Sequence, residues 1–198
     1  MASPADNHDA NQEWLRDRAN AFLARIDAAT PALYRRPVPI PDAVQNWANG
    51  QTTTGLAIVG PMGRGKTHLA WQAARQWVAA RVAQPGIPNV ITYRATELFD
   101  KLRPDALTNP YTVLEQAKTV GLFILDDVAA AKPTVWTQER LYELIDERYT
   151  EQRPLLITAD VPPKNLGEWV GPRVASRLTE MCSVQVLDGP DHRAAVAQ

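Results

Sequence analysis

Eight consecutive residues, 60–67, constrain the fold of this chain more than any other stretch. They read Gly-Pro-Met-Gly-Arg-Gly-Lys-Thr and match the phosphate-binding pattern G-x-x-x-x-G-K-T. A short apolar segment precedes them, and residues 68–82, which follow, contain neither glycine nor proline. This order predicts a buried strand, a glycine-rich turn and a helix. Such a turn points backbone N–H groups at phosphate oxygens, and the helix N-terminus adds partial positive charge.

The pattern assigns a role to individual residues of the loop. Lys66 would reach the β- and γ-phosphates of ATP, and the Thr67 hydroxyl would bind Mg²⁺. We expect nucleotide contacts from the loop and from the residue that follows it: Gly60, Pro61, Met62, Gly63, Arg64, Gly65, Lys66, Thr67 and His68.

A second motif complements the loop. Residues 121–127 read Gly-Leu-Phe-Ile-Leu-Asp-Asp, an apolar run that ends in two acids. Such a run predicts a central parallel strand covered on both faces, whose acids lie at the edge where α/β sheets bind ligands. In this Walker B pattern, Asp126 would hold Mg²⁺ through its water shell and Asp127 would polarise the attacking water. Together the two motifs predict an ATPase.

Predicted strands alternate with predicted helices along the chain. The strands are expected at residues 56–59, 89–93, 121–127, 154–160 and 184–187. Helices are expected between them, including a long one over 135–151 and another over 173–181. This alternation predicts an α/β fold with a central parallel sheet and helices on both faces.

The N-terminal 41 residues differ from the rest. Residues 11–28 show apolar side chains at helical spacing, which predicts an amphipathic helix. Four prolines between positions 31 and 41 then predict a stiff extended linker. We therefore divide the chain into an N-terminal extension, 1–41, and an ATPase domain, 42–198. The helix either packs on the ATPase domain or binds a partner protein, and the sequence leaves both interpretations open.

Net charge and cysteine content limit where this protein can function and how it can contact DNA. The formal net charge is −1, so the chain has no overall basic field, and any DNA contact must come from a local patch. The chain has a single cysteine, Cys182, and no apolar run of membrane-spanning length. We expect a cytoplasmic protein that does not enter membranes. Single-stranded DNA could follow one candidate local patch, formed by Lys101, Arg103, Tyr111 and Lys118.

From residue 42 onward, the chain resembles the DnaC/IstB group of AAA+ ATPases. Besides the two motifs above, four segments carry the resemblance in the expected order. The first is similar to the helix after Walker B, the second to the sensor-1 strand, the third to the arginine-finger helix and the fourth to a closing Gly-x-x-x-Arg. These segments are residues 138–149, 154–160, 173–178 and 189–193.

The resemblance implies an ASCE-type, three-layer αβα sandwich without a separate helical lid domain. It implies that Arg177 acts in trans on ATP bound by a neighbouring copy, so that the protein self-associates on binding ATP. By the same resemblance, Asp160 would contact the lytic water and Arg193 would contact phosphates in cis. The chain departs from the pattern at Asp127, where many relatives have Glu, and at Asp160, where an amide is commoner. Slow, partner-stimulated or DNA-stimulated hydrolysis is therefore expected.

The family branches imply two functions, and the loop alone permits a third. The small N-terminal extension favours an ATP-dependent loader of a hexameric replicative DNA helicase. A helper ATPase of transposition that binds duplex DNA is the alternative within the family. A P-loop kinase for a small molecule is the alternative outside it.

Overall fold

The computed structural model describes residues 4–84 and 88–189, with side chains described from Gln12 onward. The helices are α1 (Pro4–Ala29), α2 (Asp42–Ala48), α3 (Lys66–Ala79), α4 (Ala95–Lys101), α5 (Pro110–Thr119), α6 (Val135–Thr150), α7 (Leu166–Val170) and α8 (Pro172–Met181). The strands are β1 (Gly55–Val59), β2 (Val90–Arg94), β3 (Leu122–Asp126), β4 (Leu155–Ala159) and β5 (Cys182–Val186).

The five strands form one sheet in the order β2-β3-β4-β1-β5, and every neighbouring pair is parallel. The phosphate-loop strand β1 and the Walker B strand β3 are therefore separated by β4. Parallel strands carry all their C-terminal ends to one edge, so the loop after β1 and the acids after β3 share that edge.

Side chains alternate between two cores along each central strand. In β1, Leu56 and Ile58 face one core, while Ala57 and Val59 face the other. The first core is completed by α2 and α3 together with Ile26 of α1, and the second by helices α4 to α8. The predicted three-layer α/β sandwich with a central parallel sheet is confirmed. Within the described residues, the secondary structure belongs to these three layers, without a separate helical lid.

Strand β5 begins two residues earlier than its sequence predicts. Cys182 pairs in register with Gly55 of β1. A Cβ on Gly55 would lie 2.5 Å from the Cys182 sulfur, so the missing side chain lets the two strands pair at this point. Burial raises the pKa of the Cys182 thiol to about 12, so this cysteine is a packing residue at neutral pH.

Helix α1 packs on the fold through its C-terminal half. Ile26 is buried, and Phe22 and Leu23 pack against the same core. Asp27 accepts a hydrogen bond from Arg75 of α3 at 2.8 Å, and Arg18 donates to the Val82 carbonyl at 2.8 Å. Farther towards the N-terminus, the side chain of Trp14 is 56% exposed. The helix therefore packs against α3 and the adjoining core through residues 22–27, while Trp14 is exposed to solvent.

Across residues 4–84 and 88–189, every helix is too short or too polar to traverse a lipid bilayer.

Candidate nucleotide-binding site

The loop between β1 and α3 depends on glycine at three positions. Gly60, Gly63 and Gly65 have φ angles of 147°, 76° and 81°, which L-residues with side chains rarely adopt. At Gly60 there is also no space, since a Cβ would lie 2.4 Å from the Leu187 carbonyl oxygen. Leu187 in turn donates its N–H to the Val59 carbonyl at 2.8 Å. The segment after β5 therefore supports the start of the loop.

Lys66 lies at the first position of α3 and bends back over the loop. Its Nζ donates to the carbonyl oxygens of Gly60, at 2.8 Å, and Pro61, at 2.9 Å. The ammonium thus lies over the concave turn, which is where a phosphate bound by the loop N–H groups would need a positive charge.

Thr67, Asp126 and Thr158 form a hydrogen-bonded chain across α3, β3 and β4. The Thr67 hydroxyl donates to the Asp126 Oδ1 at 2.9 Å, and the Thr158 hydroxyl donates to the same oxygen at 2.7 Å. Asp126 is 5% exposed, so its charge relies on these donors.

The donor set of this site fits Mg²⁺. A hydroxyl and a carboxylate are hard oxygen ligands, and Mg²⁺ in phosphate sites keeps few protein ligands and several waters. Within the described residues, no cluster of three or more His, Cys, Asp or Glu side chains is arranged to hold a metal ion. Thr67 and Asp126 would therefore share the cation with water and phosphate oxygens.

Asp127 occupies an unusual backbone conformation beside this chain. Its φ and ψ are 56° and 57°, in the left-handed region, and its N–H donates to the Thr158 hydroxyl at 2.8 Å. Burial, and then the charges of Asp160 and Asp126, raise the pKa of the Asp127 carboxyl, while Lys66 and Arg94 act in the opposite direction. Asp160 therefore lies close enough to Asp127 for its charge to affect the pKa of the Asp127 carboxyl.

Two residues of the site were missed by the sequence interpretation. Thr158 connects Asp126 to the backbone of Asp127, and only its place in the segment similar to sensor 1 hinted at a role. Arg94 ends β2 directly opposite Asp126 in the strand register and carries charge towards Asp127. Nothing in its local sequence marked it, because strand order is not visible in the sequence.

Replacing Thr158 by valine tests the connecting role of its hydroxyl. The variant removes the acceptor of the Asp127 N–H and one of the two hydroxyl donors to Asp126, whose carboxylate then keeps only the Thr67 hydroxyl. We expect a loss of about 1–3 kcal/mol in unfolding free energy by urea titration. Thr158→Ser keeps the hydroxyl and should recover most of this loss. Equal stability of the valine and serine variants would contradict the role.

The remaining predicted loop contacts differ in position. The Met62 side chain is 67% exposed at the tip of the loop. The Nε of Arg64 is buried and lacks a hydrogen-bond partner. His68 points towards the linker, where its Nε2 lies 2.6 Å from the Arg36 carbonyl. A side-chain contact from His68 to nucleotide therefore remains a prediction only.

Arg177 is not part of this cluster. Arg177 lies on α8, where its Nε donates to the Asp146 Oδ1 of α6 at 2.5 Å. Its predicted role in trans needs a second copy of the chain. Arg193 lies outside the described residues.

The candidate DNA patch is largely occupied by ion pairs. Lys118 contacts Glu115 and Glu143 at 2.9 and 2.8 Å. Lys101 and Arg103 also lie near acids of α4, at longer distances of 3.7 and 3.3 Å. Tyr111 is the exception, with 73% of its side chain exposed. Because these three cations already pair with acids of their own chain, this surface is less suited to binding DNA phosphates.

Two concave surfaces are present, one beside the nucleotide-binding site and one beside α8. A pocket of about 320 Å³ beside Thr67 and Asp126 is roofed by the end of α1 and by Tyr34 of the linker. A larger, mainly apolar groove of about 460 Å³ lies between α6 and the start of α8. Tyr142 and Arg173 line this groove, and Val135 at its side is 75% exposed.

Comparison with known proteins agrees with this geometry. A family model described as the bacterial DnaA ATPase domain matches residues 40–185. The chromosomal replication initiator protein DnaA of Deinococcus radiodurans is 28% identical over 149 residues, covering 75% of this chain and 31% of that protein. An ATP-binding protein in an insertion sequence of Mycobacterium tuberculosis is 33% identical over 141 residues, covering 68% of this chain and 53% of that protein. This chain thus spans less than two thirds of the length of either relative.

Two solved structures share the fold. The DnaC helicase loader superposes with a TM-score of 0.59 at 18% identity, covering 88% of this chain and 90% of that chain. DnaI superposes with a TM-score of 0.64 at 20% identity, covering 77% and 81%. The chain belongs to the family of the bacterial DnaA ATPase domain, whose model matches residues 40–185, and its fold is that of the DnaC/IstB-like AAA+ ATPases.

Proposed function

We propose that this chain is an ATP-dependent loader of a hexameric replicative DNA helicase. The observation that carries the proposal is the two-way coverage with the DnaC helicase loader, 88% of this chain and 90% of that one. By contrast, the chain spans only 31% of the length of the Deinococcus DnaA relative, which has room for further functional regions. Residues 1–41 would form the partner-binding extension, and residues 42–198 would form the ATPase domain.

The residues of the site have distinct roles in the proposed hydrolysis of ATP. Lys66 and the loop N–H groups bind the phosphates, while Thr67 and Asp126 hold Mg²⁺, which neutralises phosphate charge when bound. Asp127 polarises the attacking water and Asp160 helps to orient it. Thr158 fixes the relation between the metal-binding acid and the Asp127 backbone.

Asp127→Asn should raise the thermal stability of the nucleotide-free protein and abolish ATP hydrolysis. A carboxyl whose pKa is raised by folding contributes stability below its unfolded pKa, and that contribution is lost as pH rises through the folded value. The ionised Asp127 therefore destabilises the nucleotide-free protein at pH 7. Asparagine also tolerates the left-handed backbone. We expect Tm at pH 7 to rise by about 1–3 °C, with the gain shrinking towards pH 4.

The same variant should bind ATP and fail to hydrolyse it. Scanning calorimetry at several pH values and phosphate release measure the two effects. Asp105→Asn, an identical charge change on an exposed loop, provides the control. A Tm at pH 7 equal to or below that of the control would contradict the prediction.

The proposal includes self-association because Arg177 hydrogen-bonds to Asp146 and Tyr142 of α6, and not to the phosphate loop of its own chain. A second copy would present its nucleotide to α8 and cover the apolar groove beside it. Arg177→Ala should then leave nucleotide binding intact and lower turnover only at protein concentrations at which copies associate.

A binding experiment with α1 variants tests the loader function. Ile26 lies in the core, so removing the whole helix would confuse binding with stability. Trp14→Ala alters an exposed side chain of the helix instead, and Leu107→Ala removes a fully exposed apolar side chain from the loop before α5. We expect ATP-dependent capture of a hexameric replicative helicase by the wild type and by Leu107→Ala, with weakened capture by Trp14→Ala. No complex with the wild type in ATP and Mg²⁺ would count against loading.

A transposition helper is the second candidate, supported by the 33% identity to the insertion-sequence protein. Tight, ATP-dependent binding to duplex DNA without any helicase would favour it. Product analysis in the same assays would detect a phosphorylated metabolite if the chain were a small-molecule kinase.

A further inference from the structure

The guanidinium of Arg177 is fully engaged within its own chain. Its Nε and Nη2 both lie 2.5 Å from the Asp146 Oδ1. Nη2 also donates to the Tyr142 hydroxyl at 3.2 Å, and Nη1 donates to the Arg173 carbonyl at 3.2 Å. Every nitrogen of the guanidinium therefore has an acceptor on α6 or α8.

Two aromatic rings flank this ion pair. The guanidinium carbon lies 4.8 Å from the ring centre of Tyr142 and 5.6 Å from that of Tyr149. The side chains of Arg177 and Asp146 are only 25% and 36% exposed. Partial shielding from water strengthens an ion pair relative to one on an open surface.

We propose that Asp146 is a positioning residue that holds Arg177 in the isolated chain and releases it when copies associate. This inference rests on the proposed role of Arg177 in trans. An arginine binds phosphate best through two parallel N–H groups of its planar fork. In this structure, the fork edge formed by Nε and Nη2 is occupied by Asp146. Asp146 and a neighbour's phosphate therefore compete for the same donors.

The ion pair is not needed to hold α6 against α8. Leu141, Leu144 and Ile145 of α6 share a buried core with Val174 and Leu178 of α8. Apolar burial of this extent fixes the two helices independently of a half-exposed charge pair. The contact therefore controls where the guanidinium points more than how the helices pack.

Asp146→Asn tests the competition in the full-length protein. The amide keeps the size of the side chain and removes its charge, so Arg177 should be released more readily. We expect the protein concentration giving half-maximal ATP turnover to fall by about threefold to tenfold, the range of a partly shielded ion pair. Affinity for a non-hydrolysable ATP analogue at low protein concentration should stay unchanged.

Matched variants separate the inference from the proposed function. Glu147→Gln removes the neighbouring acid of α6, which lies 3.8 Å from Arg153 and does not contact Arg177, and should behave as the wild type. Asp146→Glu keeps the charge and should restore the higher half-maximal concentration. Asp146→Asn combined with Arg177→Ala should match Arg177→Ala alone.

Each outcome bears on a different claim. Full activity of Arg177→Ala at all protein concentrations would refute the role in trans, and the inference with it. Impaired Arg177→Ala beside an unshifted Asp146→Asn would overturn only the inference. A loss of Tm and turnover in Asp146→Asn beyond that of Glu147→Gln would also overturn it, by showing a structural role.

Discussion

Lys66→Ala is expected to abolish tight binding of ATP, with at least about a hundredfold loss of affinity. The Lys66 ammonium supplies the cation over the loop, and hydrogen bonds to charged groups contribute about 1.5–3 kcal/mol each. Loss of two such bonds to phosphate oxygens therefore corresponds to two or more factors of ten. Titration calorimetry with a non-hydrolysable ATP analogue and Mg²⁺ measures the effect.

The nucleotide-free Lys66 variant should remain folded. In the wild type, the Lys66 ammonium contacts two loop carbonyls, and in the variant these carbonyls can accept hydrogen bonds from water instead. We expect its Tm to equal that of the wild type without nucleotide, and to lack the rise that a bound ligand produces. Lys164→Ala, which removes an exposed lysine from another loop, should bind as the wild type does. Unchanged affinity in Lys66→Ala would refute the phosphate-binding site itself.

Arg148→Ala should destabilise the fold more than any of the other substitutions proposed. Arg148 is completely buried on α6, and its guanidinium donates to the carbonyl oxygens of Ala117, Lys118, Val120 and Pro154. Burial, and to a smaller degree the charge of Arg153, lower its pKa to about 9, so it stays protonated at pH 7. Its charge thereby compensates the partial negative charge at the C-terminus of α5.

Truncation of Arg148 removes a donor from each of these carbonyls and opens a cavity. The Lys118 and Pro154 carbonyls keep a second donor, in Arg153 and the Phe123 N–H. We expect a loss of about 3–5 kcal/mol, or roughly 10 °C in Tm, by urea and thermal unfolding. Arg148→Lys should be intermediate, because one ammonium cannot reach acceptors on separate segments. Arg153→Ala removes a half-exposed neighbour that also donates to the Lys118 carbonyl, and should cost less than about 1 kcal/mol. Equal losses for Arg148→Ala and Arg153→Ala would contradict the assigned role.

Local patterns in the sequence were sufficient for the layers and the phosphate loop. Residues 60–67 specify a strand, turn and helix by themselves, because glycine at positive φ and lysine at a helix start act within one short segment. The buried strands were also predicted, since a short apolar run is typical of a strand covered on both faces. The predicted end of β3 in two acids likewise placed Asp126 and Asp127 at the functional edge.

Arg148 shows what such patterns could not reveal. In the sequence it follows Leu141, Leu144 and Ile145 at helical spacing, so the pattern places a charged residue on the buried face without showing what compensates its charge. Its burial depends on the end of α5 and the start of β4 lying over that helix. Its hydrogen bonds to carbonyls 28 to 31 residues earlier in the chain supply that compensation, and no local periodicity encodes them.

Sequence alone determined that this chain has a phosphate loop, an apolar strand followed by two acids, and a parallel sheet. Each of these features depends on residues that are neighbours in the sequence. Only the tertiary structure decided that Thr158 joins Asp126 to Asp127, that Arg94 faces the same edge and that Asp146 holds Arg177. Strand order and helix packing bring these side chains together from distant positions, and distances through space set their charges and hydrogen bonds.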